Sequence, residues 1–110
     1  MADDLDPLFK ALADPTRRAI LDALRASPRT TGELAEAFPQ VTRFAVMKHL
    51  SVLRNCGLVR TRAEGRRKVH TLHAVPLRKV YERWVKPFED CWADALLGVK
   101  RAAEAKAEHD

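Results

Sequence analysis

The sequence contains few of the features that would place a protein in a membrane or outside the cell. It has only two cysteines in 110 residues, Cys56 and Cys91, and a domain of this length folds without a disulfide framework. No apolar run approaches the roughly 20 residues of a membrane span. The acidic start, Met1 to Asp4, lacks the basic and apolar regions of a signal peptide. We therefore expect a cytoplasmic protein with reduced thiols and no membrane contact.

Motifs of catalysis are missing as well. The sequence has no phosphate-binding loop, no Ser/His/Asp pattern with a nucleophile elbow and no carboxylate cluster, so we expect no enzymatic activity. Its composition, 46% apolar and 32% charged, is that of a folded chain. The length fits one domain, which we assign to residues 1–110.

Positive charge is concentrated in the middle of the chain. Residues 42–86 hold twelve Lys or Arg and two Glu, a net charge of +10, whereas the rest of the chain carries −5. Proteins that bind nucleic acid show this asymmetry. A solvated basic face would show it too, so charge alone leaves both interpretations open.

The apolar spacing predicts four helices before any strand. Leu5 to Leu12 form a short amphipathic helix, and Asp14-Pro15 is an N-cap followed by a first-turn proline. Thr30 and Glu33 have the spacing of a capping box at the start of a third helix. A fourth helix is capped by Thr42 and runs to about Asn55, with Gly57 as its terminator.

A hairpin and a last helical stretch follow. The strand-like runs Leu58–Ala63 and Val69–His73 are joined by the basic loop Glu64–Lys68. Pro76 opens the last stretch, and Pro87 predicts a kink or break near residues 83–86. The fold class is therefore mainly α with a small β-hairpin, in the order α-α-α-α-β-β-α of a winged helix-turn-helix.

In such a fold the fourth helix enters the major groove and the hairpin reaches phosphates. Helical spacing places Val46, Leu50 and Leu53 on its inner face. Met47 is assigned to the opposite face, although inward packing is an alternative. The candidate DNA-contacting residues are Thr31, Thr42, Arg43, Phe44, Met47, Lys48 and Ser51, with Arg62, Arg66, Arg67 and Lys68 in the hairpin. Arg17 or Arg18 is a further candidate for the flanking backbone.

The last stretch carries an aromatic stripe that needs a surface to cover it. Two tryptophans and a phenylalanine on one helix favour an interface, which the first helix completes across a two-fold axis. The alternative is that the stripe caps its own domain. The candidate dimer-interface residues are Leu5, Leu8, Phe9, Leu12, Tyr81, Trp84, Phe88, Trp92 and Leu96.

Several segments resemble the ArsR/SmtB family of repressors. Leu12–Leu21 resembles the family's second helix, Gly32–Ala35 the start of its third, and Val46–Arg54 its recognition helix. Gly57-Leu58-Val59 and Glu64-Gly65-Arg66 resemble the exit into the wing and the wing tip. The resemblance covers roughly residues 5 to 75 and implies a homodimeric regulator that binds operator DNA through a winged helix. It also implies dimerisation through the first and last helices, and a structural role for His49.

The resemblance further implies where a metal would bind. Metal-sensing members carry a cysteine pair at the third helix or Asp/His pairs on the last helix, and both sites look absent here. We therefore predict no cofactor, with a divalent transition metal at Asp90, Cys91 and Asp94 as an alternative to a buried free cysteine. The regulator either responds to an effector, which could be a small molecule, a metal or a partner protein, or has none.

The predicted function is a sequence-specific DNA-binding regulator, by default a repressor, acting as a homodimer on a pseudo-palindromic operator. The alternative is a winged-helix protein-interaction module without DNA binding.

Overall fold

The computed structural model describes residues 5–109, with side chains up to residue 107, so the acidic start lies outside the described residues. The helices are α1 (Asp6–Leu12), α2 (Pro15–Ala26), α3 (Thr31–Ala37), α4 (Arg43–Asn55), α5 (Val75–Val80) and α6 (Lys86–His109), with a π-helical turn at Tyr81–Val85. The strands are β1 (Arg29–Thr30), β2 (Val59–Glu64) and β3 (Arg67–Leu72). The chain divides into two compact units, one up to Leu77 and one from Arg78 on.

Helices α2, α3 and α4 begin where their capping residues were predicted. Asp14 Oδ1 accepts from the backbone N–H of Thr16 at 2.8 Å. Thr30 and Glu33 form the reciprocal capping box, with both bonds at 3.1 Å. Thr42 Oγ1 accepts from the Ala45 N–H at 3.0 Å. Each cap contributes about 1 kcal/mol, so three local sequence signals fix where the helix-turn-helix begins.

The core of the first unit is made by one face of each helix. In α4 it is Val46, Leu50 and Leu53 that are fully buried, as the helical spacing predicted. Helix α4 packs against α2, α3 and β2, which contribute the buried residues Ile20, Leu34 and Val59, and Leu58 just before β2 is buried as well. Because α4 is held by this inner face, its outer face is free to meet another molecule.

The sheet differs from the predicted hairpin in two ways. A third, two-residue strand, β1, pairs with β3, so the antiparallel order is β1-β3-β2. The second difference is the loop, for which five residues were predicted. Because Glu64 pairs with Arg67, only Gly65 and Arg66 lie between the strands, and the connection is a two-residue turn. Gly65 has φ +62°, as a type II′ turn requires at its first central position. Arg67 and Lys68 are therefore strand residues with fixed directions.

Pro87 interrupts the regular α-helix without ending the helical run. The five residues Tyr81–Val85 form a π-helical turn, and α6 continues from Lys86. Proline has no N–H to donate and its ring crowds the carbonyl four residues back, at Arg83. A π turn, which bonds five residues apart, is a known way to accommodate such an interruption. Across it, the Tyr81 hydroxyl donates to Glu89 Oε2.

No helix within residues 5–109 is long and apolar enough to cross a membrane. The mainly helical fold with a small sheet is the predicted fold class, although the sheet has one more strand than expected. The assignment of residues 1–110 to a single domain stays a prediction.

Candidate nucleic-acid interface

A groove of about 520 Å³ lies between α3, the start of α4 and the hairpin. It brings together six of the eleven predicted DNA-contacting residues: Thr31, Arg43, Met47, Arg66, Arg67 and Lys68. Four residues that were not predicted complete its wall: Thr30, Gly32, Glu33 and Glu36. Four cations outnumber two carboxylates, so the groove attracts an anion. The other five predicted residues lie outside this wall.

The outer face of α4 exposes large apolar side chains. Phe44 is 68% exposed and Met47 52% exposed, which contradicts the alternative that Met47 packs inward. The Lys48 ammonium lies 5.1 Å from the centre of the Phe44 ring, a cation–π distance. An exposed phenylalanine beside a lysine suits a DNA groove, where thymine methyl groups and guanine acceptors are both available. Ser51 is only half-buried and Thr42 and Arg43 are exposed, so all of them remain accessible.

The cationic hairpin is solvent-exposed. All residues from Arg62 to Lys68 are exposed, and Arg62 is paired with Glu64 at 3.4 Å. This pair adds little to stability, because both side chains are mostly in water. The wing thus presents its cations from the ends of the two strands and from the two-residue turn between them.

Inside the sheet, His70 is a buried polar residue that joins two elements. Its side chain is 1% exposed. Nε2 lies 2.7 Å from Thr31 Oγ1 on α3, and Nδ1 lies 2.8 Å from Thr61 Oγ1 on β2. Burial lowers the pKa of His70, and the positive charges of Arg54 and Lys68 lower it further. The ring is therefore neutral at pH 7.

Proteins of similar sequence and structure regulate transcription. A family model described as a helix-turn-helix domain matches residues 12–62. The HTH-type transcriptional regulator Rv2034 of Mycobacterium tuberculosis is 36% identical over 103 residues, 94% of this chain and 92% of that protein. The transcriptional repressor SdpR of Bacillus subtilis is 31% identical, over 67% of this chain and 81% of that protein. An ArsR-like transcriptional regulator from Rhodococcus sp. RHA1 matches with a TM-score of 0.72 and 33% identity, covering 93% of this chain and 92% of that one.

The chain belongs to the ArsR/SmtB family of transcriptional regulators. It is accordingly a DNA-binding transcriptional regulator with a winged helix-turn-helix fold, and not an enzyme. The predictions of family, fold class and lack of enzymatic activity are confirmed. The individual DNA contacts and interface residues stay predictions.

Two arginines of this ArsR/SmtB regulator stabilise α1. Arg17 donates to the carbonyls of Ala11, at 2.7 Å, and Lys10, at 2.8 Å, and Arg18 donates to that of Leu12, at 2.6 Å. They therefore bond to carbonyls at the C-terminal end of α1, of which the Lys10 carbonyl also accepts from the Ala13 N–H. These hydrogen bonds compete with the contact to flanking DNA that was suggested for Arg17 or Arg18. The Arg17 guanidinium also lies 3.4 Å from His49 Nδ1, which agrees with a structural role for His49.

The ArsR/SmtB regulator exposes Cys91, contrary to the expectation of a buried free cysteine there. It lies in a helical segment in which every described side chain from residue 81 to residue 107 is exposed in the single chain. Cys56 is half-buried, and its thiol lies 3.3 Å from the Leu53 carbonyl. Within the described part of the chain, no three His, Cys, Asp or Glu side chains are grouped to hold a metal.

The aromatic stripe is exposed in the second unit. Trp84, Phe88 and Trp92 are 39%, 67% and 68% exposed. Together with Val85 and Glu89 they form a shallow depression of about 400 Å³. By contrast, Leu8 of α1 and the preceding Leu5 are buried in the single chain, so they have little surface left for a partner. Phe9, 39% exposed, and the half-buried Leu12 are the α1 candidates that keep such surface.

We expect acid to destabilise this ArsR/SmtB regulator through His70. An unfolded histidine takes up its proton near pH 6.5, whereas the folded chain keeps His70 neutral to lower pH. Below about pH 6.5 the unfolded state binds more protons, so the free energy of unfolding falls until the folded ring titrates too. Urea midpoints between pH 8 and pH 5 should drop for the wild type and drop less for His70→Gln. Equal drops in both proteins would contradict a role for His70.

Proposed function

We propose that this regulator is a homodimeric repressor that occludes a promoter by binding a pseudo-palindromic operator. In the dimer, two α4 helices enter successive major grooves and two wings contact the flanking phosphates. The cytoplasm, where a bacterial chromosome is accessible, is the compartment in which we expect it to work.

The cationic groove next to the outer face of α4 is the observation that carries this proposal. It places four cations that can bind phosphates next to exposed side chains that can meet base edges. The cations are Arg43, Arg66, Arg67 and Lys68. The same arrangement argues against a protein-interaction module without DNA binding, which would have no use for it.

The homodimer is supported by the exposed aromatic stripe. Three large aromatic side chains, one in the π-helical turn and two in α6, are costly to leave in water, and a second copy covers them symmetrically. A dimer also fixes the distance between the two α4 helices, which makes a two-part operator the matching DNA site.

Repression is supported by SdpR, which carries the name of a transcriptional repressor. Neither family metal site is recognisable in this sequence, so we propose that DNA binding needs no metal cofactor.

Lys48→Ala is the variant that tests DNA binding by α4. We expect it to raise the Kd for the regulator's own promoter about tenfold or more, because Lys48 is exposed on the face that meets bases. Fluorescence anisotropy with a labelled promoter fragment and a scrambled fragment measures this, in buffer with a chelator. The matched control is Lys10→Ala, which removes an exposed lysine outside the groove. Equal affinity of wild type and Lys48→Ala, or binding that requires added zinc, nickel or cobalt, would contradict the proposal.

A further inference from the structure

The hydrogen bonds of His70 bear on what Thr31 can offer to DNA. Thr31 is the first residue of α3 and lies in the wall of the cationic groove, while its hydroxyl oxygen is 2.7 Å from the buried ring. A threonine hydroxyl has a single proton to donate. Thr31 can therefore donate to a phosphate only if it does not already donate that proton to His70 Nε2.

A neutral imidazole has one N–H and one acceptor nitrogen, which leaves two arrangements. With the proton on Nδ1, the ring donates to Thr61 and Thr31 must donate its own proton to Nε2. Thr31 would then present only oxygen lone pairs to the groove. With the proton on Nε2, Thr61 donates to Nδ1, the ring donates to Thr31 Oγ1, and the Thr31 proton is free.

The charges in the groove favour one of these two protonation states of His70 once DNA is bound. Arg43, Arg66, Arg67 and Lys68 line the same wall as Thr31, so the group they attract is an anionic phosphate oxygen. Next to such an oxygen, a hydroxyl that donates is favoured and one that only accepts is repelled.

We propose that His70 is a positioning residue for DNA binding. Its ring, in the Nε2–H form, donates to Thr31 Oγ1 and so aims the Thr31 hydroxyl proton at a DNA phosphate in the groove. The inference rests on the proposed function, since it assumes that the groove holds operator DNA. It gives the buried histidine of β3 a task in the interface, although it touches no DNA itself.

Two matched variants separate this role from a merely structural one. Thr31→Val and Thr61→Val each remove one hydroxyl that hydrogen-bonds to the His70 ring, and each keeps the size of the side chain. We expect Thr31→Val to raise the Kd for operator DNA about tenfold, the loss of one hydrogen bond to a charged group. Thr61→Val leaves the hydrogen bond from His70 Nε2 to Thr31 in place, so its Kd should stay within about twofold of the wild type. Thr31→Ser keeps the hydroxyl and should bind like the wild type. Equal losses for both valine variants would overturn the proposal.

A double-mutant cycle tests whether His70 acts through Thr31. His70→Phe keeps a ring in the core but removes both nitrogens, so we expect it to weaken DNA binding several-fold. In the Thr31→Val background the same change should have no further effect, because the hydroxyl that it would misplace is already gone. Additive losses would mean that His70 acts on the interface by another route.

The protonation site can be read directly in the wild type. Nitrogen-15 NMR of labelled histidine distinguishes a protonated Nε2 from a protonated Nδ1, and we expect protonated Nε2 in the DNA complex. Protonated Nδ1 there would overturn the proposal whatever the variants do. If the wild type binds no promoter fragment, the proposed function fails; if it binds and Thr31→Val binds equally well, only this inference fails.

Discussion

Trp92→Ala is expected to convert the regulator from dimer to monomer at micromolar concentration. Trp92 is 68% exposed in the single chain and lies one turn from Phe88, which is 67% exposed. A central tryptophan typically contributes 2 kcal/mol or more to an interface, so the dimer Kd should rise about thirtyfold or more. Sedimentation velocity across a concentration series measures this directly. DNA affinity should fall with it, because a monomer holds only one half-site.

Arg101→Ala is the matched control for this change. Nine residues separate it from Trp92, two and a half helical turns, so it lies on the opposite side of α6. It is also exposed, and its loss should leave the dimer intact. If Trp92→Ala stays dimeric and melts at the wild-type temperature, the interface lies away from the stripe. If it stays dimeric but melts at a lower temperature, the alternative is favoured that the stripe caps its own domain.

The helix starts of this chain could be predicted because their signals are local. Asp14, Thr30 and Thr42 each cap a helix through a backbone N–H two or three residues away, and no tertiary contact is needed to recognise them. The inner face of α4 was equally predictable, since a 3.6-residue period places Val46 and Leu50 together on any helix.

The sheet was harder to predict because its details depend on pairing. Strand β1 has two residues, Arg29 and Thr30, and two residues have no period to detect. The hairpin turn is shorter than expected because strand pairing extends to Glu64 and Arg67. Charged side chains at a wing tip have the composition of a loop, although their backbone continues the ladder.

The parts of the candidate site that the sequence missed are long-range contacts. His70 meets a threonine 39 positions earlier in the chain, and Arg17 meets the far end of the preceding helix. No spacing rule links such residues, so only the folded chain shows that Thr31 and the wing share a buried hydrogen-bond partner. This link joins α3 to the hairpin, and both elements line the cationic groove.

The double change Arg66→Ala/Arg67→Ala should reduce both the affinity for operator DNA and its dependence on salt. Both side chains are exposed, lie at the tip of the wing and line the cationic groove. Each phosphate that a protein neutralises adds about 0.9 to the slope of log Kd against log salt. We expect the slope to fall by about one to two units per wing, hence about two to four for the dimer. Anisotropy titrations between low and physiological salt give both quantities.

Arg25→Ala/Arg101→Ala removes the same charge outside the groove and is the matched control. Both arginines are exposed, and neither belongs to α3, α4 or the hairpin. If the wing binds phosphates locally, the control keeps the wild-type slope, because counterions are released only where charges meet the DNA. If both double variants lose equal slope, the attraction is a property of net charge and the wing has no contacts of its own. Thr31→Val offers the third comparison, since the loss of a neutral hydroxyl lowers the affinity for DNA without changing the salt slope. This separates the hydrogen bond from the ionic contacts.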